Sequence, residues 1–265
     1  MAKIKLKHLF MLKSTANILG VKISLDNKRV VLEKIINFLN SDKQHFITTP
    51  NPEIILYASN NNEYKKILNK ADIAIADGFG VKLAGLTLKK NIPRITGADL
   101  IKDILKITEN KKYKICILNR KKGLSSVEDI EISLNSAYPQ LSFKVFSSKI
   151  DVSSETLKKI NSYNPDILFV AFGAPNQEKF IFNNLNNIKS VKLAVGIGGA
   201  FDFLTGRIKR APEIFRIIGM EWLWRIFQAK GKRKLWRSKR IYNAVIVFSF
   251  KFIKWRLFKK YEKTI

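Results

Sequence analysis

Short apolar runs recur along this chain, and each stops at a cluster of glycine, proline, amide or carboxylate. The run 45–49 stops at Pro50-Asn51-Pro52, and 73–76 stops at Asp77-Gly78-Phe79-Gly80. The run 166–172 stops at Gly173-Ala174-Pro175-Asn176-Gln177-Glu178, and 192–195 at Gly196-Ile197-Gly198-Gly199-Ala200-Phe201-Asp202. Between the runs, apolar residues fall at helical spacing, as with Val31, Leu32, Ile35, Ile36 and Leu39. Strands alternating with helices imply parallel β-α-β units, and so a Rossmann-like, doubly wound, mainly parallel α/β sheet. Ligands of such sheets bind beyond the carboxyl ends of the strands, where these polar clusters would meet.

The remaining elements follow the same rhythm. Residues 17–25 alternate as one strand, and 28–40 form a helix. Prolines 50 and 52 hold the chain extended and open a helix near Glu53 that continues toward Ile67 and Leu68. A helix over 81–88, a loop from Pro93 to Asp99 capping another helix, strands at 114–118 and 143–146, and a helix over 154–163 complete the pattern.

Composition narrows the class. The single cysteine, Cys116, lies in an apolar run, which excludes a disulfide framework and fits a reducing compartment. The apolar run near the N-terminus is too short for a signal peptide, and no segment reaches the ~20 apolar residues of a membrane span. The expected location is therefore the cytoplasmic side of the membrane. The formal net charge is +28, and residues 207–265 hold eighteen Lys and Arg against three acids, so over half of the excess sits in the last fifth of the chain. That imbalance asks for an anionic partner, either nucleic acid or an acidic membrane surface.

The candidate chemistry is a carboxylate, an arginine and amides arriving at one sheet edge. Asp77 ends a strand and either caps the next helix or acts as a base. Thr49, Asn51, Arg94 and Gln177 occupy the neighbouring strand ends and loops. Gly198 and Gly199 offer backbone N–H groups that can cradle a phosphate, or else make a tight turn. A dinucleotide fingerprint there would need glycine at 201, which is Phe. The chain has no P-loop, no serine nucleophile elbow, no His pair and no Asp-x-Asp triplet, so no metal site and no cofactor are expected.

Seven segments in order carry a resemblance. They are Thr49-Pro50-Asn51-Pro52-Glu53, Asp77-Gly78-Phe79-Gly80, Arg94-Ile95-Thr96-Gly97-Ala98-Asp99, Ala174-Pro175-Asn176-Gln177-Glu178 and Gly198-Gly199-Ala200-Phe201-Asp202. Arg210-Ala211-Pro212-Glu213 and Gly219-Met220-Glu221-Trp222-Leu223-Trp224-Arg225 follow. Over roughly 17–240 the chain resembles the WecG/TagA/CpsF family of bacterial glycosyltransferases. The resemblance implies inverting, metal-independent transfer of an N-acetylmannosamine-type sugar from a UDP donor to undecaprenyl-diphosphate-linked N-acetylglucosamine, in teichoic acid or other surface-polymer synthesis. It implies Asp77 as the base, with Thr49, Asn51, Arg94 and Gln177 around the sugars. Gly198, Gly199 and Asp202 would lie near the uridine diphosphate, and Arg210, Arg216 and Arg225 near the lipid diphosphate. An aspartate of ordinary pKa ~3.9 is a weak base, so a partly desolvated site is expected.

The chain thus divides into an α/β core, 1–206, and a basic, aromatic-rich helical appendage, 207–265. All four tryptophans (222, 224, 236 and 255) fall in the appendage, interleaved with Lys and Arg, as suits an anionic headgroup layer. The apolar stretch 241–250 is half a span and is expected to lie in that layer. Segment 241–265 runs past the matched motifs, and its role is left open, as are the exact sugar and a homo-oligomeric state. The rival readings are a nucleic-acid-binding protein, a non-catalytic membrane adaptor and a nucleotide-dependent oxidoreductase. The first would interleave aromatic and basic residues on the core, where this chain does not place them.

Overall fold

The computed structural model describes residues 14–217, 221–228 and 232–261. Six strands form one sheet: β3 (His45–Thr48), β4 (Ile73–Ala74), β5 (Lys114–Arg120), β6 (Ser142–Ser148), β7 (Ile167–Ala171) and β8 (Leu193–Gly196). Their order across the sheet is β4-β3-β8-β7-β5-β6, and every pairing is parallel. The chain builds outward to β4 on one side and β6 on the other, then returns to fill the middle with β7 and β8. The central strands are buried on both faces, which explains why they read as unbroken apolar runs. This is the expected α/β architecture.

Helices cover both faces. Those that frame the site are α1 (Lys28–Leu39), α2 (Pro52–Asn60), α3 (Asn62–Lys70), α4 (Phe79–Thr87) and α5 (Gly97–Thr108). They are joined by α6 (Val127–Ala137), α7 (Ser154–Tyr163), α8 (Asn176–Asn184) and the short α9 (Phe201–Leu204). One apolar cluster packs Ile35, Ile101, Ile104 and Leu105 against Ile117, Phe169 and Val195. A second, on the other face, packs Phe180 and Ile181 against Leu118, Leu168 and Ala194.

Two local expectations need correction. Residues 17–25 are not one strand but the antiparallel hairpin β1 (Thr15–Ile18) and β2 (Val21–Ser24). The chain reverses at Leu19 and Gly20, both at positive φ, and the Gly20 N–H donates to Asn17 Oδ1 at 2.8 Å. The helix begun at Pro52 breaks at Asn61, whose side chain accepts from the Tyr64 N–H at 2.8 Å and starts α3.

The C-terminal region is helical: α10 (Glu213–Ile217), α11 (Glu221–Phe227), α12 (Lys232–Tyr242), a π-helical turn (Asn243–Val247) and α13 (Phe248–Tyr261). Its inner face docks on the core. Phe248 and Phe252 are buried in a cluster with Ile55, Leu56, Val81, Ala84 and the hairpin residues Ile18 and Val21. Arg240 donates to both carboxylate oxygens of Glu53 at 2.7 and 2.8 Å. Its outer face is apolar and exposed, with Phe250 at 72%, Ile253 at 56%, Leu257 at 54% and Phe258 at 61% of their full accessibility. No helix among the described residues is long and apolar enough to cross a membrane.

Candidate active site

Parallel pairing carries β3, β4, β7 and β8 to one edge, so the polar segments that follow them share a rim. The Asp77 turn is clamped from two sides. Its own N–H donates to the Pro50 carbonyl at 2.9 Å and the Ile75 N–H to the Thr48 carbonyl at 3.0 Å, while the Ile95 N–H donates to the Ala76 carbonyl at 3.1 Å. Arg94 thereby runs beside the end of β4, forming a parallel bridge with Ala76. Gly78, at φ +145°, brings the chain so close to Pro52 that a Cβ there would lie 3.0 Å from the proline Cδ. Asp77 itself is half-buried. A Cβ on Gly97 would stand 3.6 Å from Thr49 Oγ1 and 3.7 Å from Asp77 Oδ2, so the start of α5 lies against both side chains.

Arginines line the same space. Arg94 donates to the Arg216 carbonyl at 2.8 Å and to Glu221 Oε2 at 3.1 Å. Arg210 donates to Thr96 Oγ1 at 3.2 Å and pairs with Asp99 Oδ1 at 2.6 Å. Burial alone would raise the Asp99 carboxyl, but hydrogen bonds from Arg210 and Thr96 outweigh it and hold the group below its ordinary value. The hydrogen bond to Asp99 keeps Arg210 firmly charged against the opposing effect of burial, and the charge of Asp77 adds to this. Among the described residues, the Nε–H groups of Arg94, Arg210 and Arg216 and the Nε1–H of Trp224 are buried without an acceptor. Buried donors without acceptors are uncommon, and guanidinium and indole N–H groups of this kind suit an anionic partner.

The glycine turn after β8 forms the other wall. Thr49 Oγ1 donates to the Gly196 carbonyl at 3.4 Å, joining this wall to the Asp77 side. Asp202 accepts from Ser125 Oγ at 2.8 Å, and its Oδ2 lies 2.8 Å from where a Gly199 Cβ would be. Asn51 faces the rim, with its Oδ1 already accepting from the Ile54 N–H at 2.9 Å as the cap of α2. Gln177 stands at this edge but beneath the surface, 2% exposed. Its Oε1 accepts from the Gly173 and Gly198 N–H groups at 3.1 and 2.8 Å, so it shapes the turns rather than facing the cleft. The Arg225 side chain lies outside the described residues.

Sequence reasoning did not assign roles to Thr96, Asp99 and Glu221, which anchor the arginines. Thr96 and Asp99 carried a signal, since a Thr three residues before an Asp at a helix start is a capping pattern. Glu221 carried none until its partner was known. Among the described residues no group of three or more His, Cys, Asp or Glu gathers that could hold a metal ion.

A strand-end carboxylate facing arginines with unused donors, on an α/β sheet, has the makings of an enzyme that handles a substrate with an anionic leaving group. The chain belongs to the WecG/TagA/CpsF glycosyl transferase family, whose model matches residues 16–262. It is therefore a glycosyltransferase. The match takes in residues 241–262, which the motifs alone left out, so the docked helix α13 falls within the family region. Relatives carry the name N-acetylglucosaminyldiphosphoundecaprenol N-acetyl-beta-D-mannosaminyltransferase. One from Staphylococcus aureus strain MRSA252 is 34% identical, covering 84% of this chain and 95% of its own length. Another from strain MW2 is 33% identical, covering 90% of this chain and 92% of its own.

Proposed function

We propose that this glycosyltransferase moves an N-acetylmannosamine-type sugar from a UDP donor onto N-acetylglucosamine held through diphosphate on undecaprenol, with inversion and without a metal. The observation that carries this reading is the half-buried Asp77 beside the arginine set with unused donors. Asp77 takes the proton from the acceptor hydroxyl as that oxygen attacks the anomeric carbon, and the bond to the UDP oxygen breaks on the opposite face. A single displacement needs one base and a counter-charge for the departing diphosphate. The Gly196–Gly199 turn receives the donor diphosphate at its Gly199 end, with Asp202 and Ser125 beside it, since the Ile197 and Gly198 N–H groups already donate to the Val170 carbonyl and Gln177 Oε1. Arg94, Arg210, Arg216 and Arg225 offset the diphosphate charge, with Thr49 and Asn51 near the sugars.

The reaction is assigned to the cytoplasmic face of the membrane, in the synthesis of a surface polysaccharide or teichoic acid. The exposed row Phe250, Ile253, Leu257 and Phe258, flanked by Lys251, Lys254 and Arg256, supports peripheral attachment to an anionic lipid surface. The same row argues against nucleic acid as the partner, because a phosphate backbone gains nothing from exposed Leu and Ile. The test is a panel of UDP-sugars with a short-chain lipid-diphosphate acceptor in the presence of EDTA, following released UDP. Release with UDP-N-acetylmannosamine above other donors is expected, and no release with any donor would refute the reading.

A further inference from the structure

One buried polar chain runs from the back of the core to the glycine turn. Tyr64, on α3, donates its hydroxyl to Glu178 Oε2 at 2.9 Å, and Glu178 Oε1 accepts from Gln177 Nε2 at 2.7 Å. Gln177 Oε1 then accepts from the Gly173 and Gly198 N–H groups, one beyond β7 and one beyond β8. Tyr64 and Glu178 are fully buried, and Gln177 is 2% exposed. None of the three reaches the cleft, yet the chain ends on the turn proposed to receive the donor diphosphate.

The order of partners matters. An amide can point either way, and only its oxygen can accept from the two glycine N–H groups. Glu178 takes the NH2 end, so it fixes which end of Gln177 faces the turns. Tyr64 occupies the other carboxyl oxygen and stops Glu178 from rotating away. Gly196 makes room for the amide, since a Cβ there would lie 2.8 Å from Gln177 Nε2.

We propose that Glu178, held by Tyr64, is a positioning residue that orients the Gln177 amide and thereby sets the Gly196–Gly199 turn for the donor diphosphate. This rests on the reading of that turn as the donor site. With Glu178→Leu, the Gln177 amide loses its fixed orientation. With Tyr64→Phe, Glu178 loses its lock. Glu178→Gln keeps an oxygen for the Gln177 NH2 group and a polar partner for Tyr64, and so acts as the conservative rescue.

The test uses the full chain and two readouts. Amide hydrogen exchange at Gly173 and Gly198 is expected to speed at least ~10-fold in Tyr64→Phe and Glu178→Leu relative to amides of β6, and to stay near wild type in Glu178→Gln. In the transferase assay the donor KM is expected to rise ~10-fold in the first two variants, with the acceptor KM within about twofold and Glu178→Gln restoring the donor KM. If Glu178→Leu does not fold, Tyr64→Phe decides. Unchanged exchange at both glycines, or equal loss across all three variants in proportion to lost folded protein, would overturn the proposal. If the wild type transfers no sugar, the functional reading fails, while the exchange result still judges the positioning chain.

Discussion

Phe248→Ala asks whether the C-terminal helix belongs to the core or merely follows it. Phe248 is 2% exposed, stacks on Phe252 with ring centroids 6.1 Å apart, and lies 3.9 Å from where a Gly80 Cβ would be, beside the Asp77 turn. Truncating a buried Phe costs about 3–5 kcal/mol where its surroundings stay in place. The loss has a ceiling, however, because the helix can leave: the variant loses no more than the free energy that docks α13. All four tryptophans lie between 222 and 255, so their fluorescence reports on this region, while far-UV circular dichroism reports mostly on the sheet and its helices. Wild type should unfold in urea with coincident transitions by both probes. The variant should show the fluorescence transition at lower urea, by about 3 kcal/mol or to the docking ceiling, with the dichroism transition moved less. Phe250→Ala, at a side chain 72% exposed, is the matched control and should cost less than ~0.5 kcal/mol. A Phe248→Ala loss as small as that of the control would refute docking of the helix on the core.

Asp77→Asn should lower turnover at least ~100-fold while leaving UDP affinity, measured by titration calorimetry, within about threefold. Gly196→Ala puts a Cβ 2.8 Å from the Gln177 amide and should cost ~1–3 kcal/mol, read as a fall in thermal midpoint. Replacing Phe250 and Leu257 together by Ser should cut partitioning to anionic vesicles at least ~10-fold in a sedimentation assay, with unfolding unchanged. Two carboxyls give pH effects of opposite sign. Asp99 is held below its ordinary value, so its contribution to stability is present above about pH 3.9 and is lost as pH falls through its folded value. Burial raises Glu178 against its hydrogen bonds, so its contribution is present below about pH 4.3 and is lost as pH rises toward its folded value. Urea midpoints against pH for Asp99→Asn and Glu178→Gln, each compared with wild type, should diverge in those opposite directions.

The sheet was legible because its central strands are buried on both faces and end abruptly in glycine, proline or amide. Helix 154–163 was read to the residue, since Ser153 caps it and Asn164 closes it in the left-handed conformation. The hairpin was not legible, because alternation of period two continues through its turn and only Asn17 and Gly20 mark the reversal. The break at Asn61 was hidden by apolar spacing that runs on from Ile55 to Ile67 and Leu68. Residues 241–250 read as one apolar stretch, yet Phe248 turns inward and Phe250 outward. Which face of such a helix meets protein depends on the partner it finds, here α2 and the hairpin, and no local pattern encodes that.

The site divides the same way. Asp77 was visible because a carboxylate closing a buried strand is conspicuous, and parallel topology then dictates the edge at which it stands. The arginines were visible as residues but not as a set, since Arg94 and Arg210 lie far apart in the chain and are anchored separately, Arg94 by Glu221 and Arg210 by Asp99 and Thr96. The acids Glu221 and Asp99 also explain how two guanidinium groups are held in place before substrate arrives. Each of Arg94 and Arg210 is held by its own carboxylate, yet among the described residues each keeps an Nε–H without an acceptor. The arrangement is preorganised and unfinished, which is what a diphosphate leaving group requires: donors fixed in place beforehand, with N–H groups on them still to be answered.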